Sequence, residues 1–189
     1  MAKLFFKYGA MNSGKSTILL QTAYNYQERD QRPVIAKPTT DTKSTQVLSR
    51  LNVSADVDWH VTPDTSFHEL LHQEQLPVHV ILVDEAQFLQ PEQVNQLFAI
   101  AVKNDIPVLC YGIRNDFTTR SFPGSQRLLE LAHSLEELKT ICRCGRKAIL
   151  NGRKINGVFV KEGNQVAIDG QDATYESLCG HCYISKVGW

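Results

Sequence analysis

The feature that most constrains this chain is a glycine loop close to its first residue. Residues 9–16 read Gly-Ala-Met-Asn-Ser-Gly-Lys-Ser, which matches the phosphate-binding pattern G-x-x-x-x-G-K-S. The short aromatic segment 3–8 before the loop is typical of a strand, and residues 16–29 carry apolar side chains at helical spacing without glycine or proline. Strand, loop and helix form the context that this pattern requires, so the sequence predicts a nucleotide phosphate site.

The loop offers several kinds of phosphate contact. Gly9 and Gly14 allow successive backbone N–H groups to point inward, and the helix that begins near Lys15 adds its positive end. We expect Lys15 to reach the β- and γ-phosphates and the Ser16 hydroxyl to take one position on a magnesium ion. The predicted nucleotide-binding residues are Gly9, Ala10, Met11, Asn12, Ser13, Gly14, Lys15 and Ser16. The alternative is a glycine-rich surface turn that matches by chance.

A second nucleotide signal follows the segment 78–83. This segment is almost wholly apolar, as in a central strand covered on both faces, and it runs into Asp84-Glu85-Ala86-Gln87-Phe88. An aspartate at this strand end can complete the magnesium shell, and Glu85 beside the γ-phosphate can take a proton from the oxygen that attacks phosphorus. An acidic turn without a ligand is the alternative.

Strands alternate with helices along most of the chain, which favours right-handed crossovers and a parallel sheet flanked by helices. Further strands are predicted at 33–38, 58–61 and 107–113, and further helices at 67–75, 91–104 and 125–132. Residues 39–57 are expected to form a long loop. Asp41 lies in this loop after the predicted second strand. The sequence around it is compatible with either a ligand contact or a solvated aspartate.

Three phenylalanines, Phe88, Phe117 and Phe122, lie at or after predicted strand ends. Aromatic rings at these positions either pack in the core or form the walls of a pocket for a planar base.

Four of the five cysteines fall in two close pairs, Cys142/Cys144 and Cys179/Cys182. Four thiolates can hold one tetrahedral ion, and zinc is the expected metal; a redox pair is the competing interpretation. His181 offers a further nitrogen ligand. The segment 145–178 between the pairs is too short for its own core, so we expect it to fold over the nucleotide site as a lid. The fifth cysteine, Cys110, lies in an apolar run and is expected in the core.

The charge balance bears on the choice of partner. Twenty basic and twenty acidic residues give no net charge, whereas nucleic-acid-binding domains usually carry a basic excess. No run of about 18 apolar residues spans a bilayer. We therefore expect a cytoplasmic protein without a membrane or nucleic-acid partner. The length of 189 residues suits one medium-sized domain with or without a small appendage.

Four motifs in fixed order carry a resemblance to a known family. They are the loop 9–16, residues 84–88, Gly-Ile-Arg-Asn-Asp-Phe at 112–117, and Thr-Tyr-Glu-Ser-Leu-Cys at 174–179. The chain resembles the small zinc-containing (type II) thymidine kinases over essentially its whole length. The resemblance implies transfer of the γ-phosphate of ATP to the 5′-hydroxyl of thymidine or deoxyuridine.

The resemblance also implies roles for individual residues. Glu85 resembles the general base, and Asp84, Glu85, Ala86 and Gln87 join the loop in binding ATP. The magnesium contacts implied are Ser16, Asp41 and Asp84. The implied substrate contacts are Met11, Phe88, Phe117 and Tyr175, and the implied zinc ligands are Cys142, Cys144, Cys179 and Cys182.

The implied architecture is α/β, with a RecA-like P-loop domain at 1–140 and a zinc-braced lasso domain at 141–189. A homotetramer is implied as well. The alternative function is a helicase-like ATPase, since residues 84–87 also resemble a helicase box in which Glu85 would activate water. The chain length and the charge balance argue against it. No Asn-Lys-x-Asp guanine motif occurs, so a GTPase is less favoured still.

Overall fold

The apolar segments near the N-terminus assemble into one parallel sheet. The computed structural model describes residues 1–39, 46–166 and 173–189, so Asp41 lies outside the described residues. The strands up to residue 137 are β1 (Leu4–Tyr8), β2 (Pro33–Pro38), β3 (Gln46–Leu48), β4 (Ser54–Asp56), β5 (Trp59–Val61), β6 (Val80–Val83), β7 (Val108–Gly112) and β8 (Ser134–Glu137). Six of them form the main sheet in the order β5-β2-β6-β7-β1-β8, and every neighbouring pair is parallel.

Helices cover both faces of this sheet. They are α1 (Lys15–Gln27), α2 (Phe67–Gln73), α3 (Pro91–Lys103), α4 (Pro123–Leu131) and a 3-10 helix (Ala86–Phe88). Alternate residues of β6 divide between the two layers: Ile81 and Val83 pack in the core with α2, α3 and α4, while Val80 and Leu82 pack in the core with α1. Burial on both faces explains why this strand is apolar at every position. The predicted α/β fold is confirmed.

The C-terminal part forms a smaller antiparallel unit. Its elements are β9 (Thr140–Ile141), β10 (Lys147–Ala148), β11 (Leu150–Ile155), β12 (Val158–Val160), β13 (Ala173–Leu178) and α5 (Gly180–Lys186). The ribbon β9–β10 precedes a sheet of order β12-β11-β13, and the buried residues between them include three of the paired cysteines.

One expectation about the secondary structure is wrong, and one strand was not predicted. Residues 39–57 were expected to form a loop, but the described part contains the β3–β4 hairpin, in which Val47 alone is fully buried against α1. Strands of three residues are too short for an alternation of apolar and polar residues to be recognised in the sequence. The edge strand β8 was not predicted, because Leu135 is exposed and two glutamates follow it.

Smaller differences concern helix ends, since α2 ends at Gln73 and α4 begins at Pro123. Among the described residues, no helix is both long enough and apolar enough to cross a membrane.

Gly124, in the first turn of α4, allows this helix to approach the chain that follows β6. A Cβ atom at Gly124 would lie 2.6 Å from the carbonyl oxygen of Leu89 and 2.7 Å from that of Ala86. We expect Gly124→Ala to lower the free energy of unfolding by about 1–3 kcal/mol, because the helix must move away from fixed backbone atoms. Urea unfolding followed by circular dichroism measures the loss.

Gly180 is the matched control for this substitution. It lies in the first turn of α5, and a Cβ atom there meets nothing within 4 Å. Gly180→Ala should leave the urea midpoint unchanged, and an equal loss in both variants would contradict the steric explanation.

Candidate active site

The phosphate loop has the conformation that its glycines predict. A Cβ atom at Gly9 would lie 2.4 Å from Ser13 Oγ and 2.5 Å from the carbonyl oxygen of Leu138, so no other residue fits there without a rearrangement. Gly14 has a φ of +79° and begins α1. Both glycines therefore shape the loop that joins β1 to α1.

Lys15 folds over this loop. Its Nζ donates to the carbonyl oxygen of Ala10 at 2.9 Å and lies 3.3 Å from Ser13 Oγ. Burial lowers the pKa of Lys15, and the carboxylates of Glu85 and Asp84 oppose this effect. The ammonium group is thus positioned between the loop carbonyls and the two acidic residues, where a phosphate group would replace the carbonyls as its partner.

Asp84 and Glu85 follow β6 at the same edge of the sheet. The backbone N–H of Asp84 donates to the carbonyl oxygen of Ala36 at 2.9 Å, which fixes the strand end against β2. Burial and the charge of Glu85 raise the pKa of Asp84, while Lys37 and Lys15 act in the opposite direction. The two lysines compensate the negative charge of the two carboxylates only in part, so this position favours a bound cation.

Ser16 is the other described residue among the predicted magnesium contacts. It lies in the first turn of α1 and lines the same cavity as Glu85. Carboxylate and hydroxyl oxygens are suitable ligands for Mg²⁺, so the donor set around Asp84 and Ser16 fits this ion.

Gln87 holds the side chain of Glu85. Glu85 has a left-handed backbone with φ of +50°, and Gln87 Nε2 donates to its carboxylate. The other end of the same amide, Gln87 Oε1, accepts a hydrogen bond from Ile113 N at 3.2 Å. Gln87 therefore links the carboxylate to the end of β7 and limits the positions that Glu85 can adopt.

Two cavities meet at Glu85. The larger one, of about 830 Å³, extends from the phosphate loop to the β3–β4 hairpin, where Leu48 and Leu51 line it. The second one, of about 380 Å³, lies on the other side. Residues shared by the two linings are Met11, Glu85, Ile113 and Tyr175. A carboxylate at the junction can contact groups in both cavities.

The second cavity has aromatic walls. Phe88 and Phe122 contact edge to face, with ring centroids 5.4 Å apart and an interplanar angle of 81°. Phe117 and Tyr175 line the same cavity. The predicted substrate residues Met11, Phe88, Phe117 and Tyr175 are thus brought together, and Phe122 joins them as a pocket wall.

Arg153 contacts several residues that line this cavity, and no sequence pattern indicated its role. Its guanidinium carbon lies 3.8 Å from the ring centroid of Phe117, and its Nε donates to the hydroxyl of Tyr175 at 2.9 Å. The terminal nitrogens donate to the carbonyl oxygens of Asn164 and Gln165 at 2.7 and 2.8 Å. One buried cation thus fixes two aromatic walls and the 164–165 segment.

Several residues that line the second cavity were missed as well. Lys37, Thr39, His60, Asn151, Gln165 and Val166 line the second cavity. They lie on strands and loops that are distant in sequence, and only the tertiary arrangement brings them together.

The four paired cysteines form one cluster. The sulfur atoms of Cys142, Cys144, Cys179 and Cys182 all lie within 4.8 Å of one another, and Cys144 Sγ is 3.6 Å from Cys179 Sγ. His181 does not belong to this cluster. Such a group fits a tetrahedral metal site, as predicted from the spacing.

The thiol pKa values within the cluster differ. The backbone N–H of Cys144 lowers the pKa of Cys142 to about 6. The neighbouring sulfurs, Cys144 foremost, raise the pKa of Cys182 to about 12. Thiolates this close repel one another, and a divalent metal bound among them would compensate their charge.

The single residue between Cys142 and Cys144 is explained by a tight turn. Gly145 has a φ of +85°, and its N–H donates to the carbonyl oxygen of Cys142 at 2.8 Å. The N–H of Cys142 in turn donates to the carbonyl oxygen of Arg146 at 2.8 Å. This turn between β9 and β10 directs both sulfurs to one side.

Comparisons with known proteins agree with this geometry. A family profile described as Thymidine kinase matches residues 2–183. Proteins named Thymidine kinase from Chromobacterium violaceum, Pasteurella multocida and Vibrio parahaemolyticus are each 47% identical to this chain. The matches cover 97%, 99% and 100% of this chain and 98%, 99% and 100% of the relatives, in the same order. The chain therefore belongs to the thymidine kinase family.

Proposed function

We propose that this protein transfers the γ-phosphate of ATP to the 5′-hydroxyl of thymidine or deoxyuridine, giving the nucleoside monophosphate and ADP. The proposal rests above all on the position of Glu85 between the phosphate-loop cavity and the aromatic cavity. Family membership supports the same reaction. Neither the fold nor the comparisons support a helicase-like ATPase.

Different residues at the junction of the two cavities have different roles in the reaction. Glu85 accepts the proton of the 5′-hydroxyl as the oxygen attacks phosphorus. Lys15 and the N–H groups of the loop stabilise the charge on the transferring phosphoryl group. Magnesium, held by Ser16, Asp84 and Asp41, would supply additional positive charge at the phosphates.

The nucleoside occupies the aromatic cavity in this proposal. Phe88, Phe117 and Met11 contact the thymine ring, and Tyr175 contacts the nucleoside from the C-terminal side. An aromatic cavity of about 380 Å³ beside the phosphate loop suits a planar base with a sugar directed at Glu85. Filling it also removes water from the attacking position.

The remaining features of the proposal concern organisation. The division into a nucleotide domain at 1–140 and a lasso domain at 141–189 is supported by the main sheet, whose last strand ends at Glu137, although β9 (Thr140–Ile141) crosses the boundary by one residue. We propose structural zinc at the four cysteines, a homotetramer and a cytoplasmic location.

Replacement of the proposed base tests the reaction directly. Glu85→Gln keeps the size of the side chain but cannot accept the proton, so kcat for thymidine phosphorylation should fall roughly 100-fold or more. Binding of ATP, measured by calorimetry, should persist because Lys15 and the loop remain. The assay is formation of thymidine monophosphate from magnesium-ATP and thymidine.

Glu130→Gln serves as the control for the base, because Glu130 pairs with Arg127 on α4 and lines neither cavity. Its kcat should equal that of the unmodified protein. Undiminished turnover by Glu85→Gln would remove Glu85 as the base.

Loss of a cysteine ligand tests the zinc site. Purified protein should contain about one zinc ion per chain, and Cys142→Ser should lose it together with nucleoside binding. The main sheet should remain folded by circular dichroism. Cys110→Ala is the control, since Cys110 is buried in the main core and should leave the zinc content unchanged. Full zinc content in Cys142→Ser would exclude this residue as a ligand.

Arg153 offers a test of the aromatic cavity. Arg153→Met keeps an apolar contact with Phe117 but loses the hydrogen bonds to Tyr175 and to the 164–165 carbonyls. We expect KM for thymidine to rise roughly 10-fold or more, since bonds to a charged group contribute about 1.5–3 kcal/mol. KM for ATP should change less.

Arg29→Met is the control for the arginine, because Arg29 lies exposed beyond the end of α1. An unchanged KM for thymidine in Arg153→Met would show that Tyr175 and the 164–165 segment keep their positions without the guanidinium.

A further inference from the structure

Both backbone polar groups of Met11 in the phosphate loop are bound by side chains of the C-terminal sheet. The N–H of Met11 donates to Asn151 Oδ1 at 2.8 Å, and the Ser177 hydroxyl donates to the carbonyl oxygen of Met11. Asn151 and Ser177 are buried, with 3% and 7% of their surfaces exposed. Hydrogen bonds made by buried side chains resist displacement, because breaking one leaves the buried polar group without a partner.

The two side chains form a cross-strand pair. Asn151 of β11 is the register partner of Ser177 of β13, so they stand opposite each other on one face of the sheet. The pair presents one acceptor and one donor side by side. These match the N–H and the carbonyl group of a single residue in the facing loop.

The same face of the sheet carries the contacts to the aromatic cavity. Arg153 and Tyr175 are also register partners, two residues along each strand from Asn151 and Ser177. Because side chains two residues apart point to the same side of a strand, the four residues face the main domain together. A shift of β11 and β13 at the aromatic cavity therefore also shifts the groups that hold Met11.

A third hydrogen bond extends the connection to the chain that follows β7. Asn151 Nδ2 donates to the carbonyl oxygen of Asn115 at 3.2 Å, two residues before Phe117. The amide of Asn151 thus joins the phosphate loop to the chain that carries an aromatic wall. Met11 itself lines both cavities.

We propose that Asn151 and Ser177 are positioning residues that couple the nucleoside cavity to the phosphate loop. A nucleoside that fixes the face of β11 and β13 also fixes the loop at Met11, so the two substrates bind more tightly together than separately. The inference rests on the proposed function, because it requires that thymidine fills the aromatic cavity and ATP the loop.

Calorimetry measures this coupling. A non-hydrolysable ATP analogue is titrated into the zinc-loaded protein, with magnesium present, with and without saturating thymidine. We expect thymidine to lower the Kd of the analogue several-fold, and the analogue must lower the Kd of thymidine by the same factor. In the Ser177→Ala and Asn151→Leu variants, each ligand should leave the Kd of the other almost unchanged, so that this coupling factor is close to one.

Further variants separate coupling from damage to the fold. Ser177→Thr keeps a hydroxyl at this position and should therefore keep the coupling factor of the unmodified protein. Ser185→Ala removes a serine whose hydroxyl bonds to Cys182 within the same unit, and it should keep the unmodified factor. Zinc content and thermal unfolding confirm that each variant is folded.

The outcomes distinguish the two proposals. An unmodified protein that binds no thymidine would overturn the proposed function. A protein that binds both ligands independently, or folded Ser177→Ala and Asn151→Leu variants that keep the full factor, would overturn the coupling alone.

Discussion

The parallel alignment of β1, β7 and β6 is the constraint on which the rest of the structure depends. In this sheet β7 lies between the strand that leads into the phosphate loop and the strand that ends at Asp84. Since all three run in the same direction, their carboxyl ends meet at one edge. Lys15, Asp84 and Glu85 become neighbours through backbone pairing alone, before any of them contacts a ligand.

The C-terminal unit depends on the same edge. It is too small to bury an adequate core, and its buried residues cluster around the cysteines, so a metal bound there would substitute for apolar surface. Its face carries polar groups from Asn151, Arg153, Tyr175 and Ser177, which find their partners on the loop at Met11 and in the aromatic cavity. The small sheet thereby obtains its orientation from the site that it covers.

Features of the fold and the site could be predicted where the residues that form them are close together in the sequence. The loop at 9–16 and the apolar strand before Asp84 are contiguous in sequence, and their periodicity and spacing were sufficient to predict the sheet and the carboxylate positions. The cysteine pairs are separated but carry a strong chemical signature. Arg153 and Asn151 carry none, because their roles depend on the register of β11 with β13, which short sequence patterns do not determine.

The residues that were hardest to predict decide what the site does. A carboxylate at Glu85 can take a proton from water as well as from a sugar hydroxyl, so the catalytic groups alone do not distinguish a kinase from an ATPase. The distinction requires that an alcohol occupies the attacking position while water is excluded. In this chain the walls that meet this requirement are the aromatic rings and the strands fixed by Arg153, Asn151 and Ser177. In the proposed reaction, specificity for a nucleoside would therefore reside in these walls, while Lys15 and Glu85 would provide the reactivity.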